Sequence, residues 1–488
     1  MGYGFVKLCL LSAVAALWYA CSEDSSSAVE YDYDVVGESS SSVEPMGSLV
    51  CGNVLVDIPV YDVPPEVVFS QPFDSVPPIS FAGFQPLSSG AEVSEAFPPQ
   101  SSAFIPPHSS VTHYSSELQP TWSSFASMSS APASSASEPL PDFSFYRGAD
   151  ISTVQEYERW GAKFYDTDGS EKDIFTLLKN HGFNAIRLKT FVTPQADYGY
   201  AAPGCDHDAE AYADKAHVID YAKKVKAAGM AFLLDIHYSD NWADPGHQVV
   251  PSRWRSVQSS DAMADSVYSY TYDLVFSLKA AGAVPDMVQI GNETTPGILM
   301  HVPNENTNCW GEPVNLAPAS VNGDMSTSSG KANAGKYFKA GIRAVKAVSP
   351  STKTVLHIES IRKPNIVNWW MTEIFKNQDV PADVMGFSAY TAYGDGAPDS
   401  WNALFSNLVS AYPDLEFIVA EYNGGDAENH YMFDGSRGRT DEMVRNLDRW
   451  IGAFFWEPTL NGAWGSPLFD WDGPNLRANK DAFDEYRK

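Results

Sequence analysis

The chain has 488 residues, with 61 Asp and Glu against 32 Lys and Arg and a formal charge of -29. That surplus excludes a nucleic-acid binder, which needs a basic face, and offers no attraction to an acidic polymer, so a neutral partner fits better. The length allows two or three domains. The 13% aromatic share, with 13 Trp and 24 Tyr, supplies a large core, rings able to stack on sugars, or both.

In chain order, Lys7 is followed by the apolar run LCLLSAVAALWYA and then Cys21. This is the layout of an export signal, too short to span a bilayer. Ala20-Cys21 resembles a bacterial lipoprotein cleavage site, although Trp18 departs from it. The resemblance implies that Cys21 becomes a lipidated first residue, the sole link to a membrane, and places the protein at the cell surface. Simple secretion is the alternative. Residues 1–21 are therefore read as the signal, and 22–142 as an acidic linker of serine runs and prolines with no persistent helical or strand period. A small β module around CGNVLVDIPVYDVPPEVVF is the rival reading of that stretch.

The folded domain is expected over 143–488. Short apolar runs (YRGADIS, NAIRLKTF, MAFLLDIHYSD, DMVQIGNE, KTVLHIES, DVMGFSAY, EFIVAEYNG, GAFFWEP) alternate with helical patterns such as DKAHVIDYAKKVKAAG and ANAGKYFKAGIRAVKAV. Eight strands alternating with helices predict an α/β fold, a (β/α)8 TIM barrel, whose catalytic groups sit at the C-terminal strand ends. Polar residues gather at those ends: Asp150, Arg187, His237, Asn292, Glu293, His357, Tyr390, Glu421 and Trp456. Of five cysteines, Cys205 and Cys309 fall in this domain. Export permits a disulfide between them, and two free thiols are the alternative. No CxxC or His/Cys cluster suggests zinc.

Glu293 and Glu421 end runs three strands apart, so they face each other across a barrel mouth. Glycoside hydrolysis needs two such carboxyls, one to protonate the leaving oxygen and one to attack the anomeric carbon or activate water. Arg187 is positioned to keep a nucleophile ionised, Tyr390 to donate to it, and Asn292 to bind a sugar 2-hydroxyl. His237 would orient Arg187 or touch sugar, and Trp456 would floor the site. Singly, each has an ordinary alternative: a capping carboxylate, a salt-bridge arginine, a core histidine or a core tryptophan.

These blocks together resemble glycoside hydrolase family 53, the endo-β-1,4-galactanases, over nearly all of Phe143 to Lys488. GADIS, LLDIHYSDNWADPGHQ, VPDMVQIGNETTPGIL and GAFFWEP carry the resemblance. It implies a retaining endo-hydrolase of a neutral galactan, with Glu293 as acid/base and Glu421 as nucleophile. It implies supporting roles for Arg187, His237, Asn292, Tyr390 and Trp456, and a cleft shaped by Asp240, Trp242 and Asp244. No cofactor is required; the acidic loops GGDAENHYMFDG and LFDWDGPN could hold the structural calcium of some relatives. A monomer is expected. IRLKTFVTP, SAYTAYGDG and EYNGGDAEN depart from the family pattern in loops that grip sugar. Hydrolysis of another β-glycan, or glycan binding without catalysis, are thus the alternatives.

Overall fold

The computed structural model describes residues 47–51, 54–58 and 144–487, apart from 206–211, 310, 427–428, 430 and 461–466. The export signal and Cys21 lie outside the described residues, as does most of the expected linker. Within that linker, Gly47–Cys51 and Val54–Ile58 pair as an antiparallel hairpin.

From Tyr146 onward the chain closes a barrel of eight parallel strands: β1 (Tyr146–Asp150), β2 (Ala185–Thr190), β3 (Ala231–Ile236), β4 (Met287–Ile290), β5 (Lys353–Ile358), β6 (Val384–Ala389), β7 (Glu416–Tyr422) and β8 (Trp450–Trp456). Each run read as a strand is one. The helices α1 (Ile174–Asn180), α2 (Lys215–Ala227), α3 (Ser260–Ala280), α4 (Ser328–Val348), α5 (Pro364–Met371), α6 (Pro398–Ala411), α7 (Ser436–Arg445) and α8 (Lys480–Asp484) follow the strands in turn. Their starts have local causes. Asp173, Asp214, Ser259 and Thr327 each accept a bond from a first-turn backbone N–H, and α5 and α6 begin with proline. Among the described residues no helix is long and apolar enough to cross a membrane.

The strands have two chemistries along one axis. On β3, Phe232, Leu234 and Ile236 point out to the helices, while Ala231 and Leu233 join Ala185, Met287, Val355, Val384, Ile418 and Phe454 inside the barrel. A Leu233→Ala truncation there costs roughly 2–5 kcal/mol. Gly148 on β1 makes room for this layer, since a Cβ there would lie 2.0 Å from the Phe454 ring. One pleat further along, the inward positions turn polar: Asp150, Arg187, Asp235, Gln289, His357 and Ser388. The same alternation that packs the lower barrel therefore stacks a polar layer at its C-terminal mouth.

Candidate active site

Arg187 is the centre of that layer and is 1% exposed. Its Nη1 donates to Asp150 Oδ2 at 2.6 Å. Its Nη2 meets Asp235 Oδ2 at 2.9 Å, Glu421 Oε1 at 2.8 Å, Asn292 Oδ1 at 3.0 Å and Gln289 Oε1 at 3.2 Å. Burial alone would weaken the guanidinium's hold on its proton, but the charges of Asp235, Glu421 and Asp150 outweigh it and keep Arg187 cationic.

Glu421 reaches this cation through a backbone irregularity. Ile418 and Ala420 face the barrel interior, so strict alternation would send Glu421 outward. The register with β6 shifts instead: Phe387 pairs with Val419, but Ser388 pairs with Glu421. The extra residue is a bulge, and it turns Glu421 inward. Its other oxygen, Oε2, accepts from the Tyr390 hydroxyl.

Glu293 follows β4 through a tight turn. Gly291 has φ 88°, and a Cβ there would lie 2.9 Å from Thr294 Cγ2. Glu293 itself is held at φ 46°, a left-handed conformation that non-glycine residues rarely adopt and that collects at functional sites. Its Oε1 is 2.6 Å from Ser388 Oγ. Burial, then the charges of Glu421 and Glu359, push its carboxyl well above the usual range. Burial also raises Glu421, but there Arg187 and Tyr390 pull the other way. Of two facing carboxyls, the one touching a cation ionises first, so Glu421 carries the charge and Glu293 the proton.

Around this pair, Asn292 is buried; its Oδ1 accepts from Arg187 and its Nδ2 donates to Ala243 O at 2.8 Å. His237 is buried beneath the mouth. It acts on Arg187 through Asp235, which its Nε2 meets at 2.9 Å, while its Nδ1 accepts from Ala243 N at 2.8 Å. Trp456, at the end of β8, lies edge-on to Tyr390 at 6.1 Å and to Trp242 at 6.3 Å between ring centroids. Lys189 Nζ stands 4.1 Å over the Trp242 ring. Asp240 does not join the mouth: it is 3% exposed and accepts from Thr193 N at 2.9 Å and Ser252 N at 2.6 Å, bracing two loops. Asp244 accepts from Gly246 N at 2.6 Å and meets His247 at 2.8 Å, and its charge also bears on Glu293.

Residues 146–436 match the sequence pattern described as Glycosyl hydrolase family 53. The chain belongs to this family. Over 333 residues it is 29% identical to the arabinogalactan endo-beta-1,4-galactanase of Thermothelomyces thermophilus, covering 64% of this chain and 89% of that one. Over 336 residues it is 28% identical to the endo-beta-1,4-galactanase of Bacillus subtilis (strain 168), covering 64% and 70%. Among solved structures, the Ignisphaera aggregans GH53 catalytic domain superposes with a TM-score of 0.56 at 26% identity, over 72% of this chain and 98% of that one.

This family 53 barrel also carries groups that the sequence reading missed. Ser388 touches Glu293. Glu359, just past β5, adds to the negative field on Glu293, and burial pushes its own carboxyl up to about 7. Glu457, just past β8 at φ 43°, accepts from Thr153 Oγ1 at 2.6 Å and meets Lys189 Nζ at 3.3 Å. Glu457 and Ser388 stand in the quoted blocks GAFFWEP and DVMGFSAY, where neighbouring aromatics drew the reading instead. Among the described residues no three His, Cys, Asp or Glu side chains are grouped to hold a metal. Of the two loops named for calcium, GGDAENHYMFDG includes residues outside those described, whereas LFDWDGPN is described and Phe469–Asp472 pairs there with Asn475–Ala478 as a hairpin.

Proposed function

We propose that the chain is a retaining, endo-acting hydrolase of β-1,4-galactan, the neutral side chain of pectin. The observation that carries this is the asymmetry of the two glutamates: Glu421 is held by a guanidinium and a phenol, whereas Glu293 is buried, faces the negative charges of Glu421 and Glu359 without a cation, and keeps its proton. The galactanase names of the family 53 relatives supply the substrate.

In the first step a Glu421 oxygen bonds to the anomeric carbon as the glycosidic C–O bond breaks, and the Glu293 proton passes to the departing oxygen. In the second, water gives its proton to Glu293 and attacks the same carbon, and the bond to Glu421 breaks. Arg187 and Tyr390 stabilise Glu421 as a leaving carboxylate as well as a nucleophile. Asn292 Nδ2, beside Glu293, donates to the sugar 2-hydroxyl, and Trp456 floors the ring being cleaved. Export, with lipid attachment at Cys21, would set a monomeric enzyme against polysaccharide outside the cell. The enzyme needs no cofactor for this chemistry.

The test is product analysis on linear galactan. Short β-linked galactooligosaccharides with retained anomeric configuration are expected, and Glu293→Gln and Glu421→Gln should each lower kcat by about a thousandfold or more. Normal turnover in either variant would remove that residue from the mechanism. Faster cleavage of mannan or cellulose than of galactan would move the assignment to another β-glycan.

A further inference from the structure

Ser388 on β6 holds its hydroxyl between a carboxyl and an imidazole, and can donate to only one of them. Its Oγ is 2.6 Å from Glu293 Oε1 and 3.0 Å from His357 Nε2. A serine hydroxyl has one proton to give. Which way that proton points is decided two residues back along the hydrogen-bond chain.

Asn292 Oδ1 accepts from Arg187 Nη2, and Asn292 Nδ2 donates to Ala243 O. Turning this amide over would set its NH2 against a guanidinium and its oxygen against a carbonyl, so its orientation is fixed. That oxygen lies 2.8 Å from His357 Nδ1. Gln289 Nε2 at 3.2 Å and the Glu293 backbone N–H at 3.4 Å also point at Nδ1 as donors, against the amide oxygen at 2.8 Å, which can only accept. Both are longer contacts, and Gln289 Nε2 already donates to Asp235 Oδ1 at 2.5 Å and to Gly291 O at 3.1 Å. His357 Nδ1 therefore carries a proton. Burial and the Arg187 charge hold the ring neutral. A neutral ring protonated at Nδ1 has a lone pair at Nε2. Ser388 donates to that lone pair and turns an oxygen lone pair toward Glu293.

We propose that Ser388, oriented by His357, is a positioning residue that favours the protonated form of Glu293 by accepting a hydrogen bond from its carboxyl. The inference rests on the acid/base reading of Glu293 and deepens it. When Glu293 is protonated, four side chains form one unbroken line of donors: Glu293 to Ser388, Ser388 to His357, His357 to Asn292. When Glu293 is ionised, one link is lost whichever way the serine hydroxyl turns. A Ser388 hydroxyl that donated to the Glu293 carboxylate would lower its pKa. Turned toward His357 instead, it adds to burial and to the negative charges that face Glu293 from other elements, Glu421 on β7, Glu359 after β5 and Asp244 after β3, with Tyr390 after β6 beside it. The His357 ring is faced by Arg187 on β2, Asp235 on β3 and His237 just beyond it.

The sign of one shift tests the idea. The alkaline limb of kcat/KM on linear galactan reports the acid in the free enzyme. Ser388→Ala should move that limb, and the carboxyl-carbon NMR titration of Glu293 assigned through Glu293→Gln, to lower pH by roughly one unit. Ser388→Thr, which restores the hydroxyl, should return both to the unmodified midpoint. Nitrogen NMR of the unmodified enzyme should find the His357 proton on Nδ1, a readout that needs no variant to fold. A limb that stays in place or moves to higher pH, or a His357 proton on Nε2, would overturn the proposal. Full activity in Glu293→Gln would instead overturn the acid/base reading, while the titration would still report on Ser388.

Discussion

Tyr390 donates its hydroxyl to Glu421 Oε2, the oxygen opposite the one that Arg187 holds. The two residues come from neighbouring strands, Tyr390 just past β6 and Glu421 near the end of β7. The phenol bond favours the ionised carboxylate, and burial opposes it. Tyr390→Phe keeps the ring against Trp456 and removes only the donor. The carboxyl then holds its proton to higher pH. The acidic limb of kcat/KM should move up by roughly one unit, with about a tenfold loss on that limb. An acidic limb that does not move would show that Tyr390 serves packing alone.

Arg187 separates structural from catalytic losses. In Arg187→Met, Asp150, Asp235 and Glu421 lose their shared cation in a buried layer. Removing one partner of such a cluster costs about 3–5 kcal/mol, because uncompensated charge stays behind. Denaturant unfolding should show that loss. Arg187→Lys should recover part of the stability, since the charge returns but an ammonium cannot span Asp150 on one side and Glu421 on the other. Equal stability of the Met variant and the unmodified protein would mean that the carboxylates protonate at no cost.

The barrel was legible because β-strand and helix periods alternate cleanly from Tyr146 to Trp456, and local signals such as Asp214 and Pro398 mark the helix starts. The mouth was legible where polar residues end apolar runs, as Glu293 and Trp456 do. What the period could not reveal is the bulge at Ala420. Alternation assigns Glu421 to the outside, and only the register shift against Ser388 brings it to Arg187. Asp240 reads as a cleft residue because it adjoins Trp242, yet backbone N–H groups from two other segments take both its oxygens. Ser388 and Glu359 escaped notice because a serine in a strand or a single glutamate after one carries no signal until its neighbours are known.

Cys205 and Cys309 are joined in the structure, which resolves the alternative that the sequence left open. They link the loop after β2 to the loop after β4 across 104 positions, and Asn241 Nδ2 donates to Cys309 O at 3.0 Å beside the link. Closing a loop of that length stabilises by up to about 4–5 kcal/mol on the chain-entropy account. Replacing both cysteines by serine should lower Tm by several degrees, and reductant should lower Tm for the unmodified protein but not for the double variant. Identical Tm values with and without reductant in the unmodified protein would contradict the link.

His247 ties the same region together by charge. Its Nδ1 meets Asp244 Oδ2 at 2.8 Å and its Nε2 meets Glu312 Oε2 at 3.2 Å. Both ring nitrogens face carboxylates, so the imidazolium fits and the neutral ring loses one bond. Burial opposes the charge, but Asp244 and Glu312 outweigh it and raise the His247 pKa above its ordinary value. His301, which faces the same ring, is pushed down to about 4 by its own burial and by His247, and so adds no competing charge near neutrality. A histidine with a raised folded pKa contributes its stability fully below the unfolded value, near 6.5. That contribution fades as pH rises through the folded pKa. The Tm gap between the unmodified protein and His247→Gln should therefore be widest in mildly acidic buffer and close as the buffer becomes alkaline. A gap that is constant with pH, or that widens toward alkaline pH, would show that the ring braces these loops without its charge.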